Sequence, residues 1–157
     1  MSIGQILALL GAAIAAIGAG IGSSRGVGLA GETSAGVSTE NPDVNSKLLL
    51  LQLLPGTQGI YGFLIGVIVL INTNVLGGAM KPVELFQGLG ILIGCLPVGI
   101  VGYYSAVKQG KVAAAGMIMT GQRPEMSGKG ITMAVMVETY AVLSLLLSFL
   151  IVNAIKL

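Results

Sequence analysis

A single carboxylate, Glu138, stands in the apolar run ITMAVMVETYAVLSLLLSFLIVNAI (residues 131–155), which has no other charged residue. About 20 apolar residues span the hydrocarbon core of a bilayer, so the run is long enough to cross one. An unbroken apolar run of this kind folds as a helix, which satisfies its own backbone polar groups in lipid. A carboxylate at the centre of such a helix costs about 2.5–3.5 kcal/mol on insertion scales, so by default it marks an ion or proton site whose partners lie elsewhere in the chain. The competing reading starts the helix earlier and leaves Glu138 among the headgroups as a solvated end residue.

Of the 157 residues, 54% are hydrophobic and 9% are charged, against about 25% charged in soluble domains. The composition is that of an integral membrane protein in a lipid bilayer. A net charge of +2 gives no ground for a nucleic-acid partner. Histidine is absent and Cys95 is the one cysteine, which excludes a disulfide or a Cys/His zinc site within the chain. Cys95 lies in an apolar run and reads as packing. The 25 glycines crowd the first and third segments, where small residues let helix backbones approach closely.

The expected fold class is an all-α membrane protein with four transmembrane helices. The first segment starts near Ile3, is apolar to about Gly22, and can continue as helix to about Ser38. No basic stretch precedes it, which argues against a signal peptide. A polar turn at 40–47 contains Pro42, and the second segment spans about 48–71. The connection 72–84 holds Gly77, Gly78 and Pro82 as breakers. The third segment spans about 85–106, its helix can continue to Thr120, and a turn at 121–130 leads into the fourth.

The two halves repeat. Val27, Ala30, Gly31 and Gly36 recur as Val112, Ala115, Gly116 and Gly121, at an offset of 85, while Pro42 and Pro124 are 82 apart. The first turn is therefore expected to be a few residues longer than the third. One membrane domain, 1–157, consists of duplicated hairpins at 1–71 and 85–157, and the second carries the carboxylate. The position matching Glu138 falls near Gly56. Arg25, Lys47, Lys108, Lys111, Arg123 and Lys129 lie toward the first and third turns, and only Lys81 and Lys156 lie on the other side. The positive-inside rule makes those two turns cytoplasmic.

Depth follows from counting along each helix at about 1.5 Å per residue. Gln109 precedes Pro124 by 15 and Glu138 follows it by 14, so an antiparallel hairpin puts both at one depth. Counted from Asp43, Thr57 is 14 on and Gln58 is 15 on. Four scarce polar residues thus converge on one level, and Tyr61, one turn further, can donate to the carboxylate. Pro55 has no N–H, so the Leu51 carbonyl loses its helical partner, and Gly56 loosens the same turn. An acid with several neutral oxygens suits a small hard cation such as Na+, whereas a proton needs the carboxylate alone. Thr57 and Gln58 can instead serve as interhelical hydrogen-bonding glue. GVGLAG at 26–31 matches a dinucleotide-binding pattern, but an apolar helix precedes it in place of the strand that such a site needs. Arg25 and Glu32 share one helical face, either beyond the hydrocarbon or against a wet interior.

The stretches QLLPGTQGIYGF (52–63), KQGKVAAAG (108–116) and MVETYAVL (136–143) resemble the proteolipid subunit of V-type ATPases. The resemblance spans all four segments and includes the duplicated hairpin with one surviving carboxylate. It implies a rotor ring of identical subunits, with segments one and three inside and segments two and four outside. It further implies a stator subunit whose arginine unloads each site, central-stalk subunits at the cytoplasmic turns, and a separate soluble head that hydrolyses ATP. The chain would then not be an enzyme by itself, and its membrane would be a bacterial plasma membrane. In the Na+-transporting members, the ion is held by residues matching Leu54 (backbone carbonyl), Thr57, Gln58, Gln109 and Glu138, and the match to Tyr61 helps fix the carboxylate. On the backbone ligand, the resemblance points to Leu54 and the proline to Leu51. Transported H+ in place of Na+ is the alternative ion.

A ring also has a physical rationale. One carboxylate at a fixed depth cannot carry an ion across unless the unit alternates access or the site moves laterally past two half-channels. The second option needs many copies and a partner. The rival from another class is a small four-helix antiporter that uses Glu138 for substrate and proton in turn. An aromatic substrate cavity is expected there, yet aromatics are 4% of this chain and tryptophan is absent. A third class is a purely structural assembly protein in which Glu138 is packing.

Overall fold

Ser2 and Glu84 open the two longest helices in the same way. In each, a glutamine three residues on (Gln5 or Gln87) accepts the cap residue's backbone N–H, at 2.7 Å and 2.8 Å, one half of a capping box. The computed structural model describes all residues, Met1–Leu157, and its regular elements are all helical. Helices α1 (Ile3–Glu40) and α4 (Leu85–Gln122) have 38 residues each. At 1.5 Å per residue that is about 57 Å, well beyond a hydrocarbon core of about 30 Å, so each helix reaches past the core. Asn41 and Arg123 end them with the same φ of −140°. Tight 3-10 turns follow at Pro42–Val44 and Pro124–Met126, where proline cannot continue the preceding helix.

The second span is made of α2 (Asn45–Leu53), a 3-10 turn at Leu54–Gly56, and α3 (Thr57–Asn72), and the fourth is the single helix α5 (Ser127–Ala154). All four spans are long and apolar enough to cross a membrane. Between them, residues 73–84 form an irregular connection turned by Asn74 (φ 57°) and Gly78 (φ 81°).

The structure corrects the register of the repeat. Helices α1 and α4 are of equal length and start at residues 3 and 85, and the two 3-10 turns start at 42 and 124. The offset is 82 throughout and not 85, and the first turn is no longer than the third. The turns are also shorter than expected. Asn45–Lys47 already belong to α2, and Ser127–Gly130 form the first turn of α5. Gly130 is helical because it packs on Gly116, where a Cβ would come within 3.1 Å of the opposing Cα; tertiary contact overrides its weak helix propensity. The second span is not one regular helix, because Pro55 imposes the 3-10 turn within it.

Helices α1 and α4 pack along their whole length, and α3 and α5 lie together on one side of this pair. Glycine makes the inner contact possible: a Cβ on Gly110 would stand 2.5 Å from the Gly26 Cα, and one on Gly22 would overlap the Tyr103 backbone. Two buried apolar clusters result. One joins Ala12, Ile65, Val69, Ile91, Cys95 and Val152, and the other joins Leu48, Leu51, Ala113, Met117 and Ala134. Between the clusters lies a layer of buried polar side chains, Ser23, Gln58, Ser105 and Gln109.

Candidate functional site

Glu138 meets that polar layer from α5. Its Oε1 accepts hydrogen bonds from Thr57 Oγ1 (2.7 Å) and Tyr61 Oη (2.6 Å), and its Oε2 accepts one from Gln109 Nε2 (3.3 Å). Thr57 and Tyr61 are one turn apart on α3 and so present their hydroxyls to the same oxygen. Gln109 on α4 is fully buried, donates also to the Ala134 carbonyl (3.1 Å), and accepts from Gln58 Nε2. Gln58 is likewise fully buried. Glu138 itself is half-buried, at the inner edge of an open groove lined by Val135, Thr139, Val142 and Leu143. The carboxylate is therefore held by neutral donors on its inner side and reachable from the outer side of the subunit.

All six residues singled out from the sequence meet here. Leu54 enters through its backbone: its carbonyl accepts the Thr57 N–H and lies 2.9 Å from Thr57 Oγ1. Pro55 alone singles out the Leu51 carbonyl, but the backbone oxygen at this level belongs to Leu54. Pro55 tightens the chain into a 3-10 turn, in which the N–H three residues on, that of Thr57, turns back to Leu54. Leu51 is buried one turn away in the apolar cluster.

The oxygens outnumber the protons between them. Thr57 Oγ1 has one hydrogen, yet it lies 2.7 Å from Glu138 Oε1, 2.9 Å from the Leu54 carbonyl and 3.4 Å from Gln58 Oε1. A hydroxyl donates once, so two of these contacts bring oxygens together with no proton from Thr57 between them. A small cation relieves such crowding, and so does a proton on Glu138, which can donate to Thr57 Oγ1 while Thr57 donates to Leu54. With a single carboxylate and no histidine or cysteine among its side chains, the donor set fits a hard monovalent ion.

Two residues at this level were not found from the sequence. Ser23 Oγ accepts the Gly59 N–H at 2.7 Å, and Ser105 Oγ donates to the Val137 carbonyl at 3.0 Å. Ser105 lies one turn from Gln109, a spacing that was legible. Arg25, whose place the sequence left open, lies on the exposed face of α1, donates to the Tyr103 hydroxyl, and stacks 5.6 Å above its ring. Glu32 is exposed further along α1.

The family model for the C subunit of ATP synthase matches the chain twice, at residues 10–69 and 92–151. The starts of the two matches are offset by 82, as the two hairpins are. The chain is 48% identical, over 95% of its length and 92% of the relative's, to the V-type sodium ATPase subunit K of Enterococcus hirae. It is 35% identical, over 92% of its length and 61% of the relative's, to the A-type ATP synthase subunit K of Methanocaldococcus jannaschii. Matched in both hairpins and along nearly all of its length, this integral membrane chain belongs to the family of the ATP synthase C subunit, as a proteolipid of the V-type.

Proposed function

We propose that this chain is the rotor ring subunit of a rotary V-type ATPase, that it binds Na+ at Glu138, and that it carries the ion across the membrane as the ring turns. The name of the sodium ATPase relative supports Na+ over H+, and the neutral oxygens gathered beside the carboxylate are of the kind such a cation takes. Glu138 supplies the compensating charge, while Thr57, Gln58 and the Leu54 carbonyl supply neutral oxygens. Gln109 can take either role, because its amide presents nitrogen to a bare carboxylate or oxygen to a cation. Tyr61 fixes the carboxylate from the outer side. Together these residues form the ion-binding set within one membrane domain of two hairpins, 1–71 and 85–157.

Identical copies form the ring, with α1 and α4 on the inside. A stator subunit supplies an arginine that displaces the ion from Glu138 at one point of each turn. Central-stalk subunits sit on the 3-10 turns at the cytoplasmic side, and the membrane is a bacterial plasma membrane. ATP is hydrolysed on other chains; this one contributes no catalytic group.

Carbodiimide modification of Glu138 tests the ion. A cation at the site favours the ionised carboxylate, which does not react, and a proton competes with it. Added Na+ is expected to slow the modification, more strongly as pH rises, with Li+ protecting partly and K+ much less. No protection by Na+ at any pH where Glu138 still reacts would make the chain a proton carrier.

A further inference from the structure

Ser105 and Gln109 lie one turn apart on α4 and reach α5 side by side. Ser105 Oγ donates to the Val137 carbonyl (3.0 Å), and Gln109 Nε2 donates to the Ala134 carbonyl (3.1 Å). Val137 immediately precedes Glu138, and Ala134 lies one turn before it, so α4 grips the very turn of α5 that carries the carboxylate. The repeat offset of 82 places Ser23 of α1 where Ser105 stands in α4. Ser23 Oγ accepts the Gly59 N–H at 2.7 Å, and Gly59 immediately follows Gln58. Both serines are buried, at 7% and 6% exposure.

A serine within a helix usually bonds its own backbone one turn back, as Ser144 does with the Ala141 carbonyl at 2.7 Å. Ser23 and Ser105 instead reach across to the outer helix of their own hairpin, each at the residue next to a side chain of the site. The approach at Gly59 is close, since a Cβ there would lie 3.1 Å from the Ser23 Cβ.

We propose that Ser105 and Ser23 are a repeat-related pair of positioning residues, which fix the backbones of α5 and α3 so that Glu138 and Gln58 keep their ion-binding separation. The proposal rests on Glu138 being the ion site. A side chain that bonds backbone sets the rotation and height of the whole turn, which a contact to a mobile side chain does not. Ser148 provides the comparison: it is fully buried and accepts the Val98 N–H at 3.1 Å, an interhelical bond of the same kind, well beyond Glu138 along α5.

The test is Glu138 modification by carbodiimide in the assembled enzyme, across Na+ concentration and pH. Ser105→Ala is expected to raise the Na+ giving half-protection about fivefold, the worth of one neutral hydrogen bond, and Ser23→Ala is expected to raise it by a similar factor. Ser148→Ala should lower the melting temperature of the ring while leaving half-protection where it was. Should Ser105→Ala fail to assemble, Ser105→Cys and Ser23→Ala carry the same expectation. Half-protection unchanged in both serine variants, or shifted equally by Ser148→Ala, overturns the proposal. If Na+ does not protect the parent, the Na+ reading falls, and the pH of half-reaction decides instead: a shift in Ser105→Ala but not in Ser148→Ala supports the pair, and no shift overturns it.

Discussion

At the scale of single residues, the carboxylate is held by groups that differ in what they touch. Thr57 Oγ1 contacts the carboxylate, the Leu54 carbonyl and Gln58 Oε1, whereas the Tyr61 hydroxyl donates to Glu138. Removing Thr57's hydroxyl therefore removes an oxygen of the site itself. Thr57→Ala is expected to raise the Na+ needed for half-protection of Glu138 about tenfold, near the lower end of what a hydrogen bond to a charged group contributes. Tyr61→Phe should raise it less, about threefold, because the carboxylate keeps its bond from Thr57. Equal effects would mean that Tyr61 contributes to the site as directly as Thr57. The convergence of Thr57, Gln58, Gln109 and Glu138 was legible because helices advance uniformly and polar residues are scarce in apolar spans. Ser23 and Ser105 were less so, because serine is common in membrane helices and only the one-turn spacing of Ser105 from Gln109 hints at which one reaches across. The repeat register hid them further: offsets of 85 and 82 differ by close to one helical turn, so small residues still match by face while the serines fall out of line.

At the scale of helices, the inner pair is held by backbone contact. Membrane helices gain little from burying apolar groups against one another and rely on close packing, so the glycines of α1 and α4 decide how near the two can come. Gly110 faces the Gly26 Cα at a distance that leaves no room for a side chain, while Gly28, on the same helix as Gly26, meets nothing within 4 Å. Gly110→Val is expected to force the pair apart at a cost of about 1–3 kcal/mol, seen as a lower melting temperature for the purified ring. Gly28→Ala should leave the melting temperature unchanged or raise it slightly, since alanine is the better helix former. A similar loss in both variants would show that glycine content, and not this contact, sets the packing. Glycine crowding pointed to these helices from the sequence, but which glycines touch depended on the rotation of α1 against α4, which only the packed structure fixes. Pro55 is the opposite case. Its missing N–H was plain in the sequence, yet the chain's response, a 3-10 turn that turns Leu54 and not Leu51 toward the site, required the backbone.

At the scale of the whole molecule, large apolar side chains remain exposed on every helix, among them Ile17, Phe63, Ile93 and Leu150. A patch of this extent is covered by lipid or by further copies, which fits a ring in a membrane and leaves direction as the open quantity. The direction proposed above rests on charge. Lys47, Arg123 and Lys129 lie close to the 3-10 turns at 42–44 and 124–126, and Lys81 and Lys156 lie toward the 73–84 connection and the C-terminus. Basic residues near span ends are retained on the cytoplasmic side. Ser46→Cys and Ser127→Cys, each in a Cys95→Ala background, sit at the starts of α2 and α5, and Ala79→Cys lies exposed in the opposite connection. The background change concerns a buried thiol in the apolar cluster, so it leaves the labelled positions untouched. With a membrane-impermeant thiol reagent on sealed cells and on inverted vesicles, the first two positions are expected to label only from the cytoplasmic face and Ala79→Cys only from the other. Labelling in the reverse sense would invert the ring. The bases near the turns would then have to be held outside by contacts to partner subunits strong enough to overcome the positive-inside bias.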